Sequence, residues 1–546
     1  MLRQGLASRA PGAGEAPEAE PRAGQARRSL PAGPAGARGL LRRNLLFSIV
    51  LGLAVVPRAI VMLGFQPAIL FKLDTYDYLW NAVHLTPNVV NPGGYSLVLS
   101  LLRPFHSLAL IAGLQHVLGL TVAVLVYAVL RRWGVRGWVA TLATLPVLFS
   151  PSEFLLEQLI MADFLALLTL VAAFAVLLLR PEPSVWRTVA AGLLMGASAV
   201  VRPTALPLIA LMGLYLLVRR AGWMRVCAVL AAGALPVVMY MAWFASANGS
   251  FDITQSSGLF LWSRTMSFAN CSIIKPPADL RALCPDRQPG VLAQPVAALR
   301  EAPKRYLWDH DGAKTGAGWQ WKAPQQGIVP DTGAFTAANN ARAMRFAVRA
   351  ITAQPLAYAG VVGREALSAF TQPSQFVFPA ASQPTSGLYG VNQKYALAAV
   401  RAYDGTANGI GPYLGSHFGE HIVEPWTHLI AGYQKVVSLP GPVFGLVIAV
   451  GLAGILLPRR RLAASGMLLA SAVVTILLPV AEHEYNYRYV LPAVPLACMA
   501  AALAFRNNSA DALTEPTAAE QSAGEQSAGE RTSAGQALSV PDPAGA

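Results

Sequence analysis

SLALIAGLQHVLGLTVAVLVYAVL, residues 107–130, runs directly into Arg131, Arg132 and Arg136. A helix needs about 20 predominantly apolar residues to cross a hydrocarbon core of about 30 Å, and this run supplies them. Arginines at one end of such a run mark a cytoplasmic connection. The pattern recurs at 45–65, 138–150, 160–179, 185–201, 204–218, 225–246, 437–457, 462–481 and 489–505. The expected fold class is therefore an all-α polytopic membrane protein of about ten spans, carrying a mixed extracytoplasmic domain.

Composition agrees. The 546 residues are 54% hydrophobic and only 13% charged, against about 25% charged in soluble domains. A soluble enzyme, a secreted disulfide scaffold and a nucleic-acid-binding protein are excluded. Lys and Arg number 42 against 28 Asp and Glu, a net +14, and most of the excess is arginine between apolar segments. Arg42/Arg43, Arg131/Arg132/Arg136, Arg219/Arg220/Arg225 and Arg459/Arg460/Arg461 fall on alternate connections, which orients those connections inward. Lys72, Lys275, Lys304, Lys314, Lys322, Lys394 and Lys435 all fall on the opposite connections. Both termini are expected in the cytoplasm of a cell whose plasma membrane the chain crosses repeatedly.

Residues 1–43, rich in Ala, Gly, Pro and Arg, and residues 506–546, with a recurring Glu-Gln-Ser-Ala-Gly, read as disordered cytoplasmic tails. Residues 44–246 read as an N-terminal transmembrane domain with an outer loop at 66–106. Residues 247–436 read as an extracytoplasmic domain, and residues 437–505 as the C-terminal transmembrane helices. The outer domain has a helical pattern from about Ala337 to Phe370, anchored by Phe346, Val348, Ile351 and Leu356. It is either a cap over the helices or part of an acceptor site. Cys271 and Cys284 lie in it, and an oxidising compartment would join them as a disulfide. No Cys or His cluster has zinc-ligand spacing and no phosphate-binding loop is present, so no metal and no cofactor is expected.

Charge near a bilayer is costly, so the acids and arginines at outer span ends are the functional candidates. The first outer loop reads Lys72-Leu-Asp74-Thr-Tyr76-Asp77-Tyr78-Leu-Trp80, then Asn91-Pro92-Gly93-Gly94-Tyr95. If Asp74 opens a short helix, Asp77 and Tyr78 lie one turn along. Glu153 and Glu157 share a helical face, Asp163 follows, Arg202-Pro203 makes an outward corner, and Glu482-His483-Glu484-Tyr485-Asn486-Tyr487-Arg488-Tyr489 opens the last span. Each has a plainer reading. Asp74 is alternatively an N-cap, Glu153/Glu157 a solvated face, Arg202 a partner for carbonyls freed by Pro203, and Arg488 an i,i+4 partner of Glu484.

Taken together, these stretches resemble the GT-C glycosyltransferases, and more narrowly the bacterial polyprenyl-phosphate-sugar-dependent branch that includes protein O-mannosyltransferase and aminoarabinose-transferase types. The resemblance is carried by 74–95, 157–163, Arg202-Pro203 and Arg488-Tyr489-Val-Leu-Pro492-Ala-Val-Pro495, in that order. It implies a GT-C-like helical bundle, a polyprenyl-phosphate sugar donor, a glycan, lipid or protein acceptor, and sugar transfer with inversion at the outer face. Asp74 would be the general base and Asp163 a further catalytic acid, with Arg202, Arg488 and Lys72 on the donor phosphate. Asp77, Tyr78, Tyr95, Glu157 and Glu484 would contact substrate. Protein O-mannosyltransferases show an Asp-Glu pair where this chain has Asp74-Thr75, which weakens a protein acceptor. The rival functions are a transporter or flippase of lipid-linked sugars, whose charges would line a midplane pathway, and a non-catalytic assembly factor, whose charges would not converge.

Overall fold

The computed structural model describes residues 44–71, 74–285, 295–308, 335–372, 376–378, 421–456 and 463–506. Lys72 and both expected tails, apart from Arg506, lie outside these residues. The helical body lies in the unit Leu46–Ala546.

Every apolar run of the sequence forms a helix. In chain order the first ten helices are α1 (Leu45–Gly64), α2 (Asp74–His84), α3 (Gly94–Leu102), α4 (Leu108–Arg132), α5 (Gly137–Phe149), α6 (Pro151–Gln158), α7 (Ala162–Leu178), α8 (Val185–Val201), α9 (Leu206–Val218) and α10 (Trp223–Asn248). After these come α11 (Ser257–Thr265), α12 (Val296–Trp308), α13 (Ala337–Ala353), α14 (Pro355–Ala366), α15 (Ser368–Thr371), α16 (Trp426–Val436), α17 (Gly441–Leu456), α18 (Ala463–Glu482) and α19 (Ala493–Leu503). Among the described residues, α1, α4, α10 and α18 are each long and apolar enough to cross a membrane. The bent pairs α5/α6 and α16/α17 raise the number of spans to six if each counts as one. A count of ten needs the shorter apolar helices α7, α8, α9 and α19 as well. The chain is a helical membrane protein.

The bend of 52° between α5 and α6 has a local cause. Ser150 is extended and Pro151 opens the new helix, since proline tolerates the first helical turn but cannot continue the preceding one. A second proline breaks the single helical pattern expected over 337–370 into α13 and α14 at Pro355. Two of its expected anchors turn outward: Phe346 is fully buried, whereas Val348 and Leu356 are exposed.

Helices approach closely where side chains are smallest. A Cβ on Gly196 of α8 would lie 2.3 Å from the Gly233 carbonyl of α10, a small-residue seam of the kind that drives helix association in lipid.

A buried polar knot ties α1, α4 and α6. Arg58 donates Nε to Glu157 Oε2 and Nη2 to Glu157 Oε1, both at 2.8 Å, and His116 Nδ1 lies 2.7 Å from Oε2. Arg58 also donates to the carbonyls of Leu148 and Val147 at the α5/α6 bend. Arg58 and Glu157 are 3% and 1% exposed, so neither charge has water as a substitute partner. Gly119 sits against this knot: a Cβ there would fall 1.9 Å from Glu157 Oε1. Gly119→Ala should therefore displace the carboxylate and destabilise the fold by about 3 kcal/mol. Thermal unfolding in detergent checks this against Gly113→Ala on the same helix, whose Cβ would meet only Met62 at 3.6 Å and should be tolerated.

Candidate active site

Main-chain bonds stitch the loop after α1 to the break between α6 and α7. Phe65–Gln66 (β1) pairs antiparallel with His421–Ile422 (β2). Farther along, Ile69 N donates to Gln158 O at 3.0 Å and Ile160 N donates to Ile69 O at 3.1 Å. Thr75, fully buried, completes the seam: its hydroxyl donates to Ile160 O at 3.0 Å and accepts from Phe71 N at 2.8 Å. Thr75 thus fixes the start of α2 against the start of α7. Asp74 and Asp163 both stand in the first turn of a helix, where the dipole favours a carboxylate.

Two guanidinium groups arrive from far along the chain. Arg202 follows α8, whose Ser198 hydroxyl donates to Ala166 O of α7 at 3.0 Å, and Arg202 Nη2 bonds Asp163 Oδ2. Arg488 sits in the 3-10 turn Tyr487–Tyr489, begun by Asn486, whose side chain accepts from Arg488 N. Arg488 Nη1 lies 4.0 Å from Asp74 Oδ2, and the same guanidinium stacks 4.6 Å from the Phe71 ring centre. Both arginines lie over the Tyr489 ring, at 5.5 and 4.9 Å from its centre. Asp74, Asp163, Arg202 and Arg488 therefore form one cluster assembled from four separate stretches. Beside it a cavity of about 30 Å³ is lined by Asp163, Arg202, Ser198, Thr475, Tyr489 and apolar residues including Leu170.

One electrostatic detail points to a ligand. Among the described residues, the buried Nε–H groups of both Arg202 and Arg488 have no acceptor. Buried donors are almost always satisfied, so two orphaned N–H groups in one cluster call for an anion or water.

The other sequence candidates sit at varying distances from this centre. Asp77 is adjacent, accepting from Asn91 Nδ2 at 3.1 Å. Burial, reinforced by the charge of Asp74 and opposed by the Asn91 hydrogen bond, pushes its carboxyl up from 3.8 to about 7. The folded chain thus holds a proton that the unfolded chain releases near 3.8. Stability should fall as pH rises through that window and level off above pH 7. Asp77→Asn should flatten the slope in thermal melts taken from pH 4.5 to 8.

Tyr78 and Tyr95 are buried and meet edge to face with ring centres 5.3 Å apart; Tyr95 donates to Gln115 rather than reaching the acids. Glu157 is not in the cluster, because Arg58 and His116 occupy both of its oxygens, and Glu153 is likewise buried rather than solvated. Glu484 does not pair with Arg488: a 3-10 turn replaces the helix that i,i+4 spacing assumes, and Glu484 lies 3.4 Å from Lys304. Cys271 and Cys284 are disulfide-bonded.

Sequence reading missed the clamp behind Arg488. Arg264 of α11 and Glu365 of α14, both fully buried, form an ion pair at 2.8 Å. Arg264 Nη1 also donates to His483 O, and Glu365 Oε2 accepts from Tyr485 N. Burial, with the positive charges of Arg264, Lys304 and Arg488, pulls the His483 imidazole down to about 3, so it is neutral at physiological pH. Phe71 and Met161, which touch Arg488, were also unmarked in the sequence. Arg58 and His116, each a polar side chain inside an apolar run, carried the signal of the buried knot.

A bundle of apolar helices with acids and arginines gathered at loop and helix ends defines a membrane protein with a polar site. The family model described as Glycosyltransferase family 87 matches residues 90–298 of this chain, and this similarity supports a glycosyltransferase. The matched stretch contains Asp163 and Arg202, while Asp74 and Arg488 lie outside it. No curated protein and no solved structure matches the chain.

Proposed function

We propose that the chain transfers a sugar from a polyprenyl-phosphate donor to an acceptor hydroxyl at the extracytoplasmic face of the plasma membrane, by a GT-C-type mechanism. The observation that carries this reading is the cluster itself: a partly exposed carboxylate at Asp74 lies 4.0 Å from Arg488, and Arg488 and Arg202, over the same Tyr489 ring, each have a buried Nε–H without an acceptor among the described residues. An acid beside paired cations suits one chemistry in particular, deprotonation of a nucleophile next to a phosphate leaving group.

In this reading Asp74 takes the proton of the acceptor hydroxyl as its oxygen bonds to the anomeric carbon. The bond from that carbon to the phosphate oxygen breaks, its electron pair leaves with polyprenyl phosphate, and the anomeric configuration inverts. Arg488 and Arg202 hold the phosphate and meet its growing charge. Asp163 acts on Arg202, fixing its fork, and Lys72 is a third cation for the same phosphate. A lipid-borne donor explains why the charges gather at helix ends rather than midway along a span, where a transport pathway would need them.

The test is to incubate membranes from cells with and without the gene with radiolabelled polyprenyl-phosphate sugars. A labelled product that depends on the gene supports transfer. Identical products in both membranes, from every donor tried, would refute it.

A further inference from the structure

α14 is two-faced. Val361, Glu365 and Ala366 are buried against the body of the protein. Leu356, Ala359, Gly363 and Leu367 are exposed, Leu356 at 86% and Leu367 at 57%. Their spacing of three and four residues makes one apolar stripe along the helix. In water such a stripe would be a liability, and something apolar has to cover it.

The position of α14 indicates what covers it. At its start, the Tyr358 hydroxyl donates to Ala481 O at 3.0 Å, one residue before the end of α18. Just past its end, Phe370 stacks on Phe444 with ring centres 5.8 Å apart, and a Cβ on Gly441 would lie 2.7 Å from the Phe370 carbonyl carbon. Gly441 is the first residue of α17. α17 and α18 are successive in the chain, so the start of one and the end of the other lie on the same side of the bundle. Both ends of α14 are thus tied to one side of the bundle, to the end of the long apolar helix α18 and to the α16/α17 bend, which lays the helix along the boundary instead of across it. α17 itself carries exposed apolar side chains, Leu446 at 63% and Val443 at 46%.

We infer that α14 is an interfacial helix whose Leu356, Ala359, Gly363 and Leu367 lie in the boundary between lipid headgroups and acyl chains. The bilayer is the partner of this face, bound as amphipathic helices bind, by burial of the apolar side to a depth of about 5–10 Å. The opposite face carries Glu365, which holds Arg264 and Tyr485 N just ahead of Arg488. Lipid on one side of α14 therefore helps seat the segment that delivers Arg488 on the other. The inference needs only that α17 and α18 span the membrane and is independent of sugar transfer.

The experiment places single cysteines at 356, 359, 363 and 367 in the full chain reconstituted in lipid vesicles, with the exposed Cys227 replaced by alanine. Spin labels at these sites are compared by power saturation with oxygen, which concentrates in lipid, and a nickel chelate, which stays in water. Leu446→Cys provides the hydrocarbon reference, and Arg345→Cys, from an exposed ion pair with Asp279, the aqueous one. Gly363 has open space around it, so its label does not disturb packing. The expected oxygen-to-nickel ratio at all four sites is several-fold above that at 345 and at or below that at 446. Ratios equal to that at 345 would overturn the inference by placing the stripe in water. Labels shielded from both reagents would overturn it too, showing a second copy or residues 379–420 as the cover.

Discussion

Asp74→Asn leaves the chain folded and inserted, and lowers sugar transfer by about a hundredfold or more. The structure separates the two roles of this region. Folding of the loop rests on Thr75, whose buried hydroxyl bonds Ile160 and Phe71, whereas the Asp74 carboxyl is about one-third exposed and faces Arg488. Asparagine keeps the shape and can still face the guanidinium, but it cannot take a proton at neutral pH. A general base contributes about 10²- to 10⁴-fold, and that contribution is what the variant loses. The measurement is turnover of polyprenyl-phosphate sugar by purified protein, with the melting temperature as the control for folding. Parental turnover in a folded Asp74→Asn variant would remove Asp74 from the chemistry.

Arg488→Ala has the second large effect, a loss of about 10²- to 10³-fold in kcat/KM, the range seen when one donor to a developing oxyanion is removed. Its guanidinium is held by Phe71, Tyr489 and Asp74, and its buried Nε–H has no acceptor among the described residues. That geometry leaves one edge of the fork for a phosphate. Lysine supplies the charge without the planar fork, so Arg488→Lys should recover only part of the activity. If Arg488 merely filled space, Arg488→Met would match Arg488→Lys in turnover.

The helices were legible because each apolar run has its own length and its own arginine or proline boundary, and these are local properties. The candidate site was legible only as a set of residues. Asp163 lay at an ambiguous depth in the sequence, and what fixes it in the first turn of α7 is the bridge from Ile69 to the 158–160 segment, a pairing no local pattern encodes. Glu157 has the residue type and spacing of a site acid, yet Arg58, 99 residues earlier, takes both its oxygens. The plainer reading of Arg488, an i,i+4 partner of Glu484, fails because that spacing assumes a helix and Asn486 begins a tighter turn there instead. The Arg264–Glu365 clamp joins residues 101 apart. Partnerships across such distances follow from packing of the whole bundle, so only residue types, and not pairs, can be read in advance.

In the proposed reaction, guanidinium groups distant in sequence converge on a lipid phosphate. Binding of polyprenyl phosphate to the protein in lipid nanodiscs, with unphosphorylated polyprenol as the control, measures that convergence. The expected result is saturable binding of the phosphate alone by the parent, weakened at least tenfold in Arg202→Ala and Arg488→Ala singly and lost in the double variant. Equal affinity in the parent and in a folded double variant would contradict it.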